Sequence, residues 1–212
     1  SPLAKAVNVT HIFLMMLMID VIIGPVLGLL VYKDGKKTLK FDLAVIILIQ
    51  LSALCYGVYS IAQGRPVWIV YSIDRFELIK NNEIIDQDIQ KAQLEYQHPS
   101  WLGPQLVAMQ LSLNGEQRNK EMFNEVFSGI SLAQHPERYV NLNSVTAQIQ
   151  QRVEKLELLS HYNDPVMVKE ILTKYPQANS FVPLKASAVD MTVLINKEKG
   201  EVVKIVDLRP WK

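Results

Sequence analysis

The sequence predicts two transmembrane helices forming a membrane hairpin, followed by an α+β domain with a mostly antiparallel sheet. Three observations carry that prediction. Residues 12–31 and 43–62 are long apolar runs, each close to the ~20 residues a helix needs to span a hydrocarbon core ~30 Å thick. The segment joining them, YKDGKKTLKFD, is polar and leaves no room for a soluble domain. At Arg65-Pro66 the chain changes character, and strand-like and helix-like periodicities alternate from there on.

Whole-chain averages hide this division. A hydrophobic fraction of 49% and a net charge of +1 suggest an ordinary globular protein, but the apolar residues crowd before Gln63 and most charge follows it. About 150 residues lie beyond the hairpin, enough for one compact domain with its own core. The near-zero net charge gives no electrostatic case for nucleic acid. Cys55 is the single cysteine and sits in the second apolar run. An intrachain disulfide, zinc-ligand spacing and CxxC are therefore all excluded. The chain opens SPLAKAV without Met. Its first run is too long for a signal-peptide core and is followed by lysines where a small-residue cleavage site would be expected. The sequence reads as a fragment with something missing upstream of Ser1.

The hairpin has a predicted direction. Lys33, Lys36, Lys37 and Lys40 crowd the turn, against Lys5 and Arg65 at the opposite ends. Basic short loops stay cytoplasmic, so the turn at 33–42 is expected inside, with residues 1–64 as the hairpin and 65–212 as a periplasmic domain. Asp20, Gly24 and Gly28 recur at four-residue steps and share one helix face. Gly24 and Gly28 form a GxxxG spacing, which permits close backbone approach. Gln50, Ala53 and Gly57 share a face of the second helix, with Gln50 at about the depth of Gly24. The two helices are expected to pack through these faces, and Gln50, Ser52 and Tyr56 are candidate partners for Asp20. Two readings of Asp20 stand: a structural carboxyl, or a functional intramembrane group. Pro25 weakens the local helix ladder.

In the domain, residues 67–78 (VWIVYSIDRFEL) read as one strand, residues 86–97 as a polar surface helix, HPSWLGP as a loop, and QLVAMQLSL as a second strand ending at Asn114-Gly115. Residues 116–131 are predicted helical, with Met122, Val126, Phe127 and Ile130 on one face. Asn143 or Ser144 caps a further helix to about Leu159, striped by Val145, Ile149, Val153 and Leu156. Asp164-Pro165 opens a short helix to Tyr175. Residues 191–195 and 202–206 flank NKEKGE, a hairpin with Gly200 available for positive φ.

The search for chemistry is negative. GxSxG, HExxH, P-loop and GxGxxG are absent, and His98, His135 and His161 lie far apart in sequence. Strand alternation puts Asp74 on one face and Arg75 and Glu77 on the other, an ion-paired strand rather than an acid–base pair. KDGKK is not the GxGD-type motif of membrane aspartyl peptidases. Trp68, Tyr59 and Tyr71 fit an interfacial aromatic belt as well as they fit a binding role. No cofactor, metal or small-molecule substrate is indicated.

The run IDVIIGPVLGLLVYKDGKKTLKFDLAVIILIQLSALCYGVYS with the following RPVWIVYSIDRFE resembles the type IV pilin accessory proteins of the TfpX/TfpZ family. The closing DMTVLINKEKGEVVKIVDLRPW resembles that family's C-terminus. Members usually carry one more membrane helix upstream, absent here. The resemblance implies an inner-membrane, multi-pass, non-enzymatic chaperone that helps a cognate major pilin assemble, with pilin, pilus machinery and membrane lipid as partners. Under it, Asp20, Gly24, Gly28, Gln50 and Gly57 form a helix-packing or partner face, and Trp68, Val70, Asp74, Arg75 and Glu77 a membrane-proximal partner surface. The alternative is an accessory subunit of a pilin-modifying enzyme such as a glycosyltransferase.

Overall fold

A computed structural model describes residues 2–32, 38–112 and 114–211, apart from the side chains of Asp20, Gln117, Met122, Asn124 and Val126. Residues 33–37, half of the predicted lysine-rich turn at 33–42, lie outside the described residues. The chain divides into two compact units, one of Asn8–Arg65 and the other of Ser1–Val7 together with Pro66–Lys212. The short helix α1 (Pro2–Ala6) belongs to the second.

The first unit is a pair of helices, α2 (Val9–Val31) and α3 (Leu39–Gln63), packed on each other. Pro25 lies within α2 without ending it. Both helices are long and apolar enough to cross a membrane. Neither segregates its apolar residues to one side, the pattern of a helix surrounded by apolar matter. Yet their side chains are exposed: Leu29 is 77% and Phe41 71% accessible.

The second unit is built on one sheet of order β4-β3-β1-β2-β6-β7-β8, with β5 added beside β6. The strands are β1 (Pro66–Ser72), β2 (Arg75–Lys80), β3 (Gln105–Met109), β4 (Tyr139–Val140), β5 (Glu154–Lys155), β6 (Ser180–Lys185), β7 (Met191–Asn196) and β8 (Glu201–Val206). The expected mostly antiparallel sheet is corrected to a mixed one. The central β1–β2 hairpin has a parallel neighbour on each side, β3 on β1 and β6 on β2. Parallel neighbours require crossover connections. Residues 81–104 make the first, crossing from one side of β1 to the other through three 3₁₀ turns rather than the predicted helix at 86–97.

The predicted single strand at 67–78 is two strands. Ser72 pairs with Arg75 across a two-residue turn, and Ile73 takes φ 58°. Such turns normally carry Asn or Gly at positive φ, so this one leaves no signature in the sequence. Two contacts hold it: Tyr71 and Phe76 stand opposite each other with rings 5.2 Å apart, and the Tyr71 hydroxyl donates to the Ile73 carbonyl at 3.3 Å. β1 is buried on both faces, which explains its unbroken apolar run.

Helix α4 (Gly115–Ser128) starts where the Asn114 side chain accepts the Glu116 N–H and stops at Gly129, whose φ of 69° is left-handed. Phe127 and Ile130 of its predicted packing face are exposed, while the Met122 and Val126 side chains lie outside the described residues. The helix expected to run to Leu159 stops early, as α5 (Thr146–Arg152). Residues 154–155 pair with β6 instead, and the chain resumes as α6 (Leu159–Tyr162). Helix α7 (Pro165–Thr173) forms as predicted, with the Asp164 carboxylate accepting the Val166 N–H at 2.8 Å. The β7–β8 hairpin also forms, with Gly200 at φ 68°.

The inner strand β6 has no counterpart in the sequence prediction. It contains Pro183, which argues against a central strand. That proline lies where β6 passes from β5, paired at 180–181, to β2, paired at 184–185. On its other side Pro183 stands opposite Thr192 of β7.

Candidate functional site

In the helical pair, Gln50 lies against Gly24, and a Cβ on Gly24 would collide with its side-chain amide. Gly57 is covered in the same way by Met16. Gly28, one turn beyond Gly24, has no atom within 4 Å of where a Cβ would stand. The shared GxxxG face is therefore divided, Gly24 closed by its own hairpin and Gly28 open. The Asp20 side chain lies outside the described residues. Of its candidate partners, Ser52 donates its hydroxyl to the Leu48 carbonyl at 2.8 Å and Tyr56 is exposed.

The predicted partner surface of the domain is not brought together. Trp68 and Val70 are fully buried, because β1 is central and covered on both sides, so neither offers a surface. Trp68 packs edge-on against Tyr96 and Tyr139, with ring centres 5.9 and 5.4 Å away. Asp74 is exposed in the hairpin turn, so the predicted alternation across residues 74–77 does not apply. Arg75 and Glu77 do share a face, 3.5 Å apart, with Glu77 buried.

Beside the turn, an open groove of about 740 Å³ runs between the end of β3 and α5, lined among others by Gln110, Asn141, Gln148, Arg118 and Arg152. Among the described residues its lining carries amides and guanidinium groups, a surface suited to hydrogen bonding. A smaller neighbouring recess contains Asp74 and Glu154. Burial, with the Asp74 charge added, raises the Glu154 carboxyl above its usual range. Among the described residues no cluster of His, Cys, Asp or Glu could hold a metal ion.

Two relatives from Dichelobacter nodosus, the fimbrial assembly proteins of serogroups I and E1, are 31% and 30% identical to the chain over 157 residues. The matches cover 73% of this chain and 61% of each relative. A third, the fimbrial assembly protein of serogroups C1 and C2, is 31% identical over 93 residues, which is 43% of this chain and 71% of that relative.

The chain belongs to the fimbrial assembly protein family. It spans about three fifths of the length of the two longer relatives. No family model matches the sequence, and no solved structure matches the protein.

In this chain several features escaped the sequence reading. The Ala6 carbonyl accepts the N–H groups of Ala188 and Val189 at 3.0 and 3.3 Å, and the Lys5 ammonium meets Asp207 at 2.6 Å. These bonds join SPLAKAV to the C-terminal domain rather than to the helices. Phe123 and Phe127 stack on the surface of α4, 66% and 82% exposed with ring centres 6.0 Å apart. Their four-residue spacing was readable, but whether the pair points inward or outward depends on packing.

Proposed function

We propose that this fimbrial assembly family member is a non-enzymatic inner-membrane accessory protein of the TfpX/TfpZ type, assisting assembly of a cognate type IV major pilin. In this reading α2 and α3 cross the inner membrane as a multi-pass hairpin with the lysine-rich turn in the cytoplasm. The α+β domain stands in the periplasm, where pilin and pilus machinery are met. The observation that carries the reading is the helical pair itself. Its side chains are apolar and exposed around both helices, a surface that lipid or other membrane helices cover and water does not, in a chain related to proteins named for fimbrial assembly. The topology has a second support: Ala6 and Pro66 belong to one compact unit, as two crossings require.

Within the hairpin, Gly28 is the proposed point of approach for the pilin's apolar helix, since Gly24 and Gly57 are occupied by Gln50 and Met16. In the domain, the exposed Asp74, Arg75 and the Phe123–Phe127 pair are the proposed contacts for the pilin head. A photoreactive residue at position 28 and another at 127, in cells expressing the cognate pilin, tests this. Pilin captured at either position is the expected result. A glycosyltransferase captured instead, together with a changed pilin mass when the protein is absent, would replace this reading by the accessory-subunit one.

A further inference from the structure

The two ends of the central strand can be told apart. β1 begins at Pro66, where the chain arrives from α3, and ends at the Ile73–Asp74 turn. β3 runs parallel to it, with Gln105 opposite Trp68 and Ala108 opposite Tyr71. The loop that precedes β3 therefore lies at the end of the sheet where Pro66 enters. The β6–β7 connection marks the same end, because β6 runs parallel to β2, which returns antiparallel to β1. Ala188 and Val189 of that connection hold the Ala6 carbonyl, so the chain also leaves towards α2 from there.

At this end stand Trp101 and Leu102, 76% and 101% exposed. They lie three or four residues before Gln105, at most about 14 Å of extended chain. The loop has a defined local geometry around Leu102. The Ser100 hydroxyl oxygen accepts the Leu102 N–H at 3.1 Å, and Gly103 follows at φ 125°, a conformation open to glycine. The segment HPSWLGP carries no carboxylate, so nothing in it repels anionic headgroups. Tryptophan concentrates at headgroup depth, where its apolar ring and polar N–H both find suitable surroundings.

We infer that Trp101 and Leu102 form a lipid anchor that inserts into the headgroup region of the bilayer crossed by α2 and α3. The inference rests on the membrane reading above. Its anchor fixes the orientation of the domain at the bilayer surface, beyond the tether supplied by Gly64 and Arg65.

The test uses the whole chain in phosphatidylcholine–phosphatidylglycerol vesicles carrying nitroxide lipids, with an environment-sensitive fluorophore at one cysteine at a time. The sites are native Cys55, Leu102→Cys and Asp74→Cys, the last two combined with Cys55→Ser. Leu102 and Asp74 are exposed, so neither cysteine disturbs the core. A label at 102 should lose most of its emission to headgroup-level nitroxides, while one at 74, at the far end of β1, should lose none. Equal responses at 102 and 74 overturn the anchor, as does a blue shift at 102 without lipid quenching, which signals a second copy of the chain. Quenching of the Cys55 label by acyl-chain nitroxides reports the hairpin separately. If it is present while 102 stays in water, the anchor alone fails; if it is absent, the membrane reading fails with it.

Discussion

Single residues decide how closely the two long helices approach. Gly24 and Gly28 are indistinguishable in sequence, one turn apart on one face, yet the first is covered by Gln50 and the second by nothing. Gly24→Leu should therefore destabilise the helical pair by about 1–3 kcal/mol, the range for overpacking a filled site. Gly28→Leu should leave its thermal unfolding in detergent unchanged. Equal losses for the two would show that the hairpin also closes over Gly28. Ile73 makes the complementary point. A β-branched residue at φ 58° is an outlier, tolerated because the paired strands and the Tyr71–Phe76 contact over-determine the turn.

Among the elements, those with local signals were legible and those without were not. α7 is bracketed by a cap and a proline at its first position, and the β7–β8 hairpin by a glycine able to take positive φ. Because the Asp164 carboxylate satisfies an otherwise free helix N–H, Asp164→Ala should cost about 1 kcal/mol. Urea unfolding of the full chain in detergent would register it, with the Asp164→Asn variant retaining most of the stability. By contrast β6, with Pro183 inside it, and β5, two residues long, exist because neighbouring strands supply their partners. The predicted helix at 86–97 gave way to 3₁₀ turns as the crossover buried Ala92 and Tyr96 against Trp68. Polar composition suggested a surface helix, and tertiary burial overrode it.

For the molecule as a whole, the aromatic core sets an alkaline limit on stability. Burial pushes the Tyr71 and Tyr96 phenols up to about 12 from 10.0, with Arg152 opposing and Asp74 reinforcing the shift at Tyr71. Burial raises the Tyr139 phenol as well, and its hydroxyl donates to the Ala133 carbonyl at 2.5 Å. A folded-state pKa above the unfolded value means that the folded domain keeps protons the unfolded chain releases. The stabilisation is complete below about pH 10 and is lost as pH rises towards 12. Circular dichroism of the aromatic bands should collapse in that window, together with the rise in tyrosinate absorbance. Ionisation of these phenols near pH 10 with the fold intact would contradict their burial.

The sequence by itself determined the division into an apolar helical pair and an α+β domain, the α7 cap and the C-terminal hairpin. Each follows from run length, helical period or turn chemistry, which act between residues close in the chain or along one helix. Only the tertiary structure decided that the sheet is mixed, that Trp68 and Val70 are core rather than surface, and that SPLAKAV returns to the C-terminal domain. It also decided that Trp101 and Leu102 share an end of the sheet with Pro66. These are pairings across tens of residues. They depend on which strand lies beside which, and no local periodicity records that choice.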